Sequence, residues 1–190
     1  MTGLYGGVFD PPHNGHLALA RAALEQFDLQ QLLVLVVVEP GHKHAELPFE
    51  RRFELARLAF SDLPNTQVHP EGHGYTVDAL RAHERREKRF ADTIFFVGAD
   101  EFADFLSWKE PNAVLELTRL GVATRPGYPR EKLESVLTSI EHPERVEIFE
   151  IPAVPASSQE IRARIRRGES VAEVVPEAVL REIEDAGLYR

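Results

Sequence analysis

Leu32-Leu33-Val34-Leu35-Val36-Val37-Val38 is apolar at every position. A strand with one wet face alternates apolar and polar residues, so an unbroken run of this length suits a strand covered on both faces, as in parallel sheets. Working outward, shorter β-branched runs stand at Leu4–Phe9, Thr66–His69, Thr93–Val97, Leu120–Thr124 and Val146–Ile151. Between them lie stretches with helical spacing at Leu17–Phe27, Phe49–Phe60, Val77–Glu87, Asn112–Leu117 and Arg130–Ile140. Strand and helix in alternation predict an α/β protein, a doubly wound and mainly parallel sheet with helices on both faces.

The tail breaks the alternation. Gln159–Arg167 and Pro176–Ala186 read as helices with no strand between them, a small helical C-terminal subregion over residues 157–190. Pro176 suits a first helical turn and Gly187 a helix end. No repeat, low-complexity segment or Ser/Gly-rich linker interrupts the chain, which predicts a single domain over residues 1–190. Gly41–Pro48 and Glu71–Tyr75 combine Gly, Pro and His between periodic segments and are expected to be loops.

Composition narrows the function. The 190 residues are 43% apolar and 28% charged, with 22 Lys plus Arg against 31 Asp plus Glu, a formal charge of −9. A chain of this length buries roughly 70% of the surface it exposes when unfolded, so its core needs no covalent or metal staple. There is no cysteine, which excludes a disulfide framework, a thiolate metal site, an iron–sulfur cluster and a cysteine nucleophile. The negative charge argues against nucleic acid as the main partner, since that affinity rests on Lys and Arg neutralising phosphates. No basic leader precedes an apolar stretch at the start, and no run approaches the roughly 20 apolar residues of a membrane span. The expectation is a cytoplasmic protein.

In an open parallel sheet, ligands gather beyond the carboxyl ends of the strands, so the first strand-to-helix turn comes first. It reads Gly6-Gly7-Val8-Phe9-Asp10-Pro11-Pro12-His13-Asn14-Gly15-His16-Leu17. Neither the GxGxxG fingerprint of dinucleotide-binding folds nor the GxxxxGK[ST] phosphate loop is present. Instead a glycine pair lets a ligand approach backbone N–H groups, and a helix starting at Asn14 or Gly15 offers further N–H groups and a positive dipole end. His13 and His16, three apart, can face one anion from that start. Taken alone, H-x-x-H is also compatible with a surface pair or a metal site, and His42 with His44 keeps zinc open.

The string GGVFDPPHNGHLALA resembles the HxGH motif of the nucleotidyltransferase superfamily, and within it the N-terminus of bacterial nicotinate-nucleotide adenylyltransferases. Further segments follow in that family's order. Gly74-Tyr75-Thr76-Val77-Asp78-Ala79-Leu80 is similar to its S-Y-T-x-D-T-L, and Phe96-Val97-Gly98-Ala99-Asp100 with Trp108 to its G-x-D strand end and downstream tryptophan. Arg125-Pro126-Gly127 matches R-P-G, and Ser157-Ser158-Gln159-Glu160-Ile161-Arg162 resembles I-S-S-T-x-I-R. The ending from Val175-Pro176-Glu177 to Gly187-Leu188-Tyr189 is similar to the family's C-terminal pattern. Val8 stands in place of a Thr or Ser, Gln159 in place of the Thr, and the segment before His42-Lys43 lacks the usual Pro-Pro.

The resemblance implies a Rossmann-like sheet and a reaction between ATP and nicotinate mononucleotide that yields the deamido dinucleotide and pyrophosphate, with Mg²⁺ accompanying ATP. The acceptor phosphate, with a second pKa of about 6, is already ionised at neutral pH and needs no general base. The work is to hold two anions in line and to stabilise charge on the α-phosphoryl oxygens. As catalytic groups the resemblance implies His13 and His16, donors and cations each contributing roughly 3–4 kcal/mol in the transition state, together with Arg162. For ATP it implies Gly7, Val8, Phe9, Gly98, Asp100 (to a ribose hydroxyl), Arg125, Ser157 and Ser158, besides His13, His16 and Arg162. For nicotinate mononucleotide it implies Gly6, Gly7, Lys43, Thr76 near the ring carboxylate and Trp108 against the ring. No metal-ligating protein residue is expected. Arg52, beside Arg51 on an amphipathic helix, reads as structural, and Ser157 with Glu160 has capping-box spacing. A homo-oligomer is compatible with the sequence. Other acceptors, nicotinamide mononucleotide or phosphopantetheine, remain alternatives, as do a catalytically silent nucleotide-binding regulator and a metal hydrolase using the two histidines.

Overall fold

The computed structural model describes residues 1–41, 44–87 (84–87 as backbone only) and 93–190. Six strands, β1 (Thr2–Gly7), β2 (Gln31–Val37), β3 (Thr66–Glu71), β4 (Thr93–Gly98), β5 (Arg119–Thr124) and β6 (Val146–Glu150), form one sheet ordered β3-β2-β1-β4-β5-β6. Every neighbouring pair is parallel, so the expected mainly parallel sheet is parallel throughout. The order reverses between β1 and β4, which opens a crevice at their carboxyl ends.

The apolar runs divide between two cores by the two-residue period of a strand. Leu32, Val34 and Val36 of β2, with Tyr5, Ile94 and Phe96, pack against α1 (Asn14–Gln26), α2 (Phe49–Phe60), α7 (Ser158–Arg166) and α8 (Glu177–Asp185). Their neighbours Leu4, Leu35, Phe95 and Val97 face the other side, against α3 (Thr76–Glu87), α4 (Ala99–Ala103), α5 (Pro111–Leu117) and α6 (Arg130–Leu137). This two-sided burial is why the 32–38 run contains no polar residue. Among the described residues no helix is long and apolar enough to cross a membrane.

The observed elements lie close to the sequence reading, with two differences that matter for the site. β1 ends at Gly7, two residues before the expected Phe9, because Phe9 takes φ +52° in the left-handed region. Such a conformation costs a bulky residue roughly 1–2 kcal/mol, offset here by burying the ring edge-on against Tyr5, His16 and Phe60. Gly7 is required by that arrangement, since a Cβ there would lie 2.7 Å from the Phe9 ring. The other difference is α4, too short for its periodicity to show.

The tail folds as two helices. α8 ends in a Schellman motif: Leu188 N–H bonds the Ile183 carbonyl at 3.0 Å, Gly187 N–H bonds the Glu184 carbonyl at 3.3 Å, and Gly187 has φ +61°. That motif aims Tyr189 inward, where its hydroxyl donates to Asp10 Oδ1 at 2.7 Å. The chain's end is thereby tied to the turn after its first strand.

Candidate active site

A cavity of about 580 Å³ opens at the carboxyl ends of β1 and β4, within the size range of small-molecule sites. It is lined by Gly6, Gly7, Val8, Phe9, His13 and His16 from the first turn, Thr76 from α3, Gly98 and Asp100 after β4, Trp108, Arg125 after β5, and Ser157, Ser158 and Arg162 of α7. Residues from six separate stretches of sequence thus converge on one space. Lys43 and His42 lie outside the described residues.

The two histidines sit where α1 begins. His13 is the extended residue before the helix, and its N–H donates to His16 Nδ1 at 3.0 Å. That bond uses the Nδ1 lone pair, so neutral His16 carries its proton on Nε2, a donor. The rings stack with centroids 3.7 Å apart and planes 22° from parallel. His13 is only 8% exposed, and burial lowers its pKa to about 4. In the free protein it is therefore neutral at pH 7; the cation expected of it concerns the site with phosphate bound. Its Nδ1 is buried and, among the described residues, has no hydrogen-bond partner. It faces the His16 N–H in the reciprocal cap that opens α1, so this nitrogen belongs to the helix start while the ring as a whole lines the cavity.

Asp10, also buried, organises the turn. It accepts from Glu46 N–H at 2.5 Å and from Tyr189 Oη at 2.7 Å. Burial, and then the Asp10 carboxylate, push the Tyr189 phenol well above its ordinary pKa, so it stays a donor.

Arg162 donates from Nη1 to the Asp10 carbonyl and from Nε to Glu46 Oε1, both at 2.7 Å. Arg166 also bonds Glu46. Burial alone would raise the Glu46 carboxyl, but these two guanidinium groups hold it below its ordinary value. Ser157 caps α7, its Oγ accepting from Glu160 N–H at 3.2 Å, whereas Ser158 Oγ donates to the Pro11 carbonyl at 2.8 Å. The serine pair therefore docks α7 onto the first turn while leaving its N-terminus at the cavity.

Arg52 is 1% exposed. Its guanidinium donates to the carbonyls of Leu47 (3.1 Å), Val8 (3.0 Å), Val37 (2.8 Å) and Val38 (2.9 Å), pinning the ends of β1 and β2 to the start of α2. Burial lowers its pKa, though the nearby Asp10 carboxylate partly offsets this. Arg51 beside it is a surface residue paired with Glu54 and Glu182.

On the far wall, Thr76 opens α3 and Trp108 is half-buried against Phe105. Glu71, buried at the end of β3, accepts from His73 N–H (2.9 Å) and pairs with His73 Nδ1 (2.7 Å) and His83 Nε2 (3.0 Å). It thereby ties the 72–75 loop to α3. On the β4–β5 side the Asp100 side chain is 75% exposed, with Arg125 Nη2 at 4.0 Å from Oδ2, and Tyr128 Oη bonds the Ala99 carbonyl at 3.2 Å. Among the described residues no three His, Asp or Glu side chains converge as metal ligands.

Asp10 and Glu46 carry no local signal in the sequence, because their partners are distant in the chain. Tyr189 lies within the C-terminal segment whose resemblance is described above, and only its role is new.

The sequence model of the cytidylyltransferase-like family matches residues 4–164, and the chain belongs to that family. The chain is 41% identical, over 99% of its length and 98% of the other, to a Thermus thermophilus protein named "Probable nicotinate-nucleotide adenylyltransferase". A Desulfitobacterium hafniense protein of the same name is 33% identical, with 99% of this chain and 95% of that one covered. In fold it matches nicotinic acid mononucleotide adenylyltransferase of Plasmodium falciparum complexed with NaAD, TM-score 0.79 at 17% identity, covering 99% of this chain and 96% of the other.

Proposed function

We propose that the protein transfers the adenylyl group of ATP to the 5′-phosphate of nicotinate mononucleotide, giving nicotinate adenine dinucleotide and pyrophosphate, a step in NAD biosynthesis. A phosphate oxygen of the mononucleotide attacks the α-phosphorus, and the bond from that phosphorus to the bridging oxygen of the β-phosphate breaks. No covalent enzyme intermediate forms. The observation that carries the reading is the stacked histidine pair at the mouth of a crevice that two helix N-termini face.

His16 serves as an Nε2–H donor to the α-phosphoryl oxygens. His13, neutral when the site is empty, gains its proton as the arriving phosphate replaces the apolar surroundings that suppress the cation. Backbone N–H groups of Gly6 to Phe9 supply further donors, and at Val8 they act without the hydroxyl of related sequences. Arg162 turns from Glu46 to the β- and γ-phosphates, where Ser157, Ser158 and the α7 N-terminus also bind, and Arg125 adds positive charge. Asp100, exposed, accepts from a ribose hydroxyl. Thr76 receives the ring carboxylate, Trp108 covers the ring and Lys43 contacts the mononucleotide phosphate. Mg²⁺ enters as Mg-ATP, ligated by phosphate oxygens and water. The substrates are small anions, admitted by this local positive potential despite the charge of −9, in the cytoplasm.

Purified protein with Mg-ATP and nicotinate mononucleotide should release pyrophosphate at a higher kcat/KM than with nicotinamide mononucleotide or phosphopantetheine. Absence of pyrophosphate with nicotinate mononucleotide would overturn the proposal.

A further inference from the structure

Thr76 and Trp108 come from segments far apart in the chain, and both flank a set of charges that the chemistry above leaves unused. Asp78 and Arg81 lie on the first turns of α3; Lys109 and Glu110 follow Trp108 directly. Lys109 Nζ reaches both Asp78 oxygens, at 3.1 and 2.8 Å. Arg81 meets Glu110 fork to fork, Nη1 to Oε1 at 2.9 Å and Nη2 to Oε2 at 2.7 Å. Lys109 Nζ also lies 5.3 Å from the centre of the Tyr75 ring, immediately before Thr76.

Exposed ion pairs taken singly contribute little. Here two bidentate pairs of opposite sense act on one short segment, and that segment is not relaxed: Glu110 sits at φ +50° and ψ +62°, where a non-glycine residue is held against its preference. The fork from Arg81 grips the side chain of that strained residue, two positions from the Trp108 ring. Apolar packing of Val77 and Leu80 with Phe105 and Val114 beneath holds the helices together and seats one side of the Trp108 ring, while Lys109 and Glu110 beyond it are exposed and held by their charges.

We propose that Asp78–Lys109 and Arg81–Glu110 form a clamp that sets the gap between Thr76 and Trp108 and so tunes binding of the acceptor nucleotide. All four are positioning residues, acting through Trp108 and Thr76 without touching substrate. The inference rests on the functional reading that the nicotinate ring lies between those two residues.

The test uses Arg81→Gln and the charge swap R81E/E110R in the full chain. Trp108 is the only tryptophan, so acrylamide quenching of its fluorescence in ligand-free protein reports its position directly. Arg81→Gln should raise the KM for nicotinate mononucleotide about fivefold, leave the KM for ATP unchanged, and make Trp108 easier to quench. The swap should restore both. A merely destabilised protein would lose active molecules and maximal rate, with neither KM moved. Unaltered quenching and acceptor KM in Arg81→Gln, a joint rise of both KM values, or a folded swap variant that restores nothing overturns the clamp. Should the swap not fold, Glu110→Gln must reproduce Arg81→Gln, and the R81Q/E110Q double variant must be no worse than either; additive losses refute the pairing. If the wild type forms no dinucleotide, the functional reading fails, while quenching still decides whether the clamp holds Trp108.

Discussion

Replacing His13 by leucine should abolish activity and, in acid, make the protein more stable relative to wild type. In the folded protein burial holds the His13 pKa at about 4, against 6.5 for an exposed imidazole. Between those values the unfolded chain binds a proton that the folded one excludes, so stability falls as pH drops through the unfolded pKa and goes on falling toward the folded one. Two and a half pKa units correspond to about 3 kcal/mol at full extent, and to about 2 kcal/mol between pH 8 and pH 5. Leucine fills a similar volume and does not titrate. Urea denaturation of both proteins at half-unit steps from pH 8 to pH 4.5 gives the difference in unfolding free energy at each pH. That difference should shift by about 2 kcal/mol in favour of the leucine variant on reaching pH 5, with carboxylate contributions common to both cancelling. Parallel stability curves would refute the reasoning, because a histidine that titrates normally in the folded state gives no differential proton binding.

Three further outcomes follow from the geometry. His16→Ala removes one positioned donor and should lower kcat/KM about 10²- to 10³-fold in the pyrophosphate assay; full activity would exclude His16 from the transition state. Arg52→Met leaves three carbonyls at the ends of β1 and β2 and a fourth before α2 without their donor and should cost about 3 kcal/mol or more in denaturant titrations, with Arg52→Lys recovering part; a neutral effect would show that water replaces the guanidinium. Glu46→Gln weakens the hold on Arg162 and should tighten ATP binding about two- to fivefold by calorimetry; weaker binding would mean that Glu46 orients Arg162 for the nucleotide.

Much of this architecture was legible because its determinants are local or periodic. The run at residues 32–38 announces a two-faced strand, and the alternation of Leu35 against Val34 and Val36 between the two cores is that same pattern seen in space. The His13–His16 turn was legible through its spacing and its place after the first strand. Arg51 and Arg52 mark the boundary of such reading: adjacent and chemically identical, one is paired at the surface and the other is buried on four carbonyls. Only the register of α2 against the sheet decides which. The neutral state of free His13 was not legible for a related reason. Its sequence neighbours point to a bound anion that favours the cation, while the free state is governed by burial that no short window of sequence reveals. Asp10 and Glu46 escaped because every partner that defines them lies more than thirty residues away.

The bond from Tyr189 to Asp10 spans 179 positions and gives the site an order of assembly. The turn bearing both histidines is synthesised well before the hydroxyl that satisfies its buried carboxylate. Until Tyr189 arrives, Asp10 lacks one of its donors and α8 lacks the turn that anchors it. A chain without the Tyr189 hydroxyl would keep every group assigned to chemistry yet hold the histidine turn less firmly. Its loss would therefore register as a defect of the active turn 179 positions away in sequence.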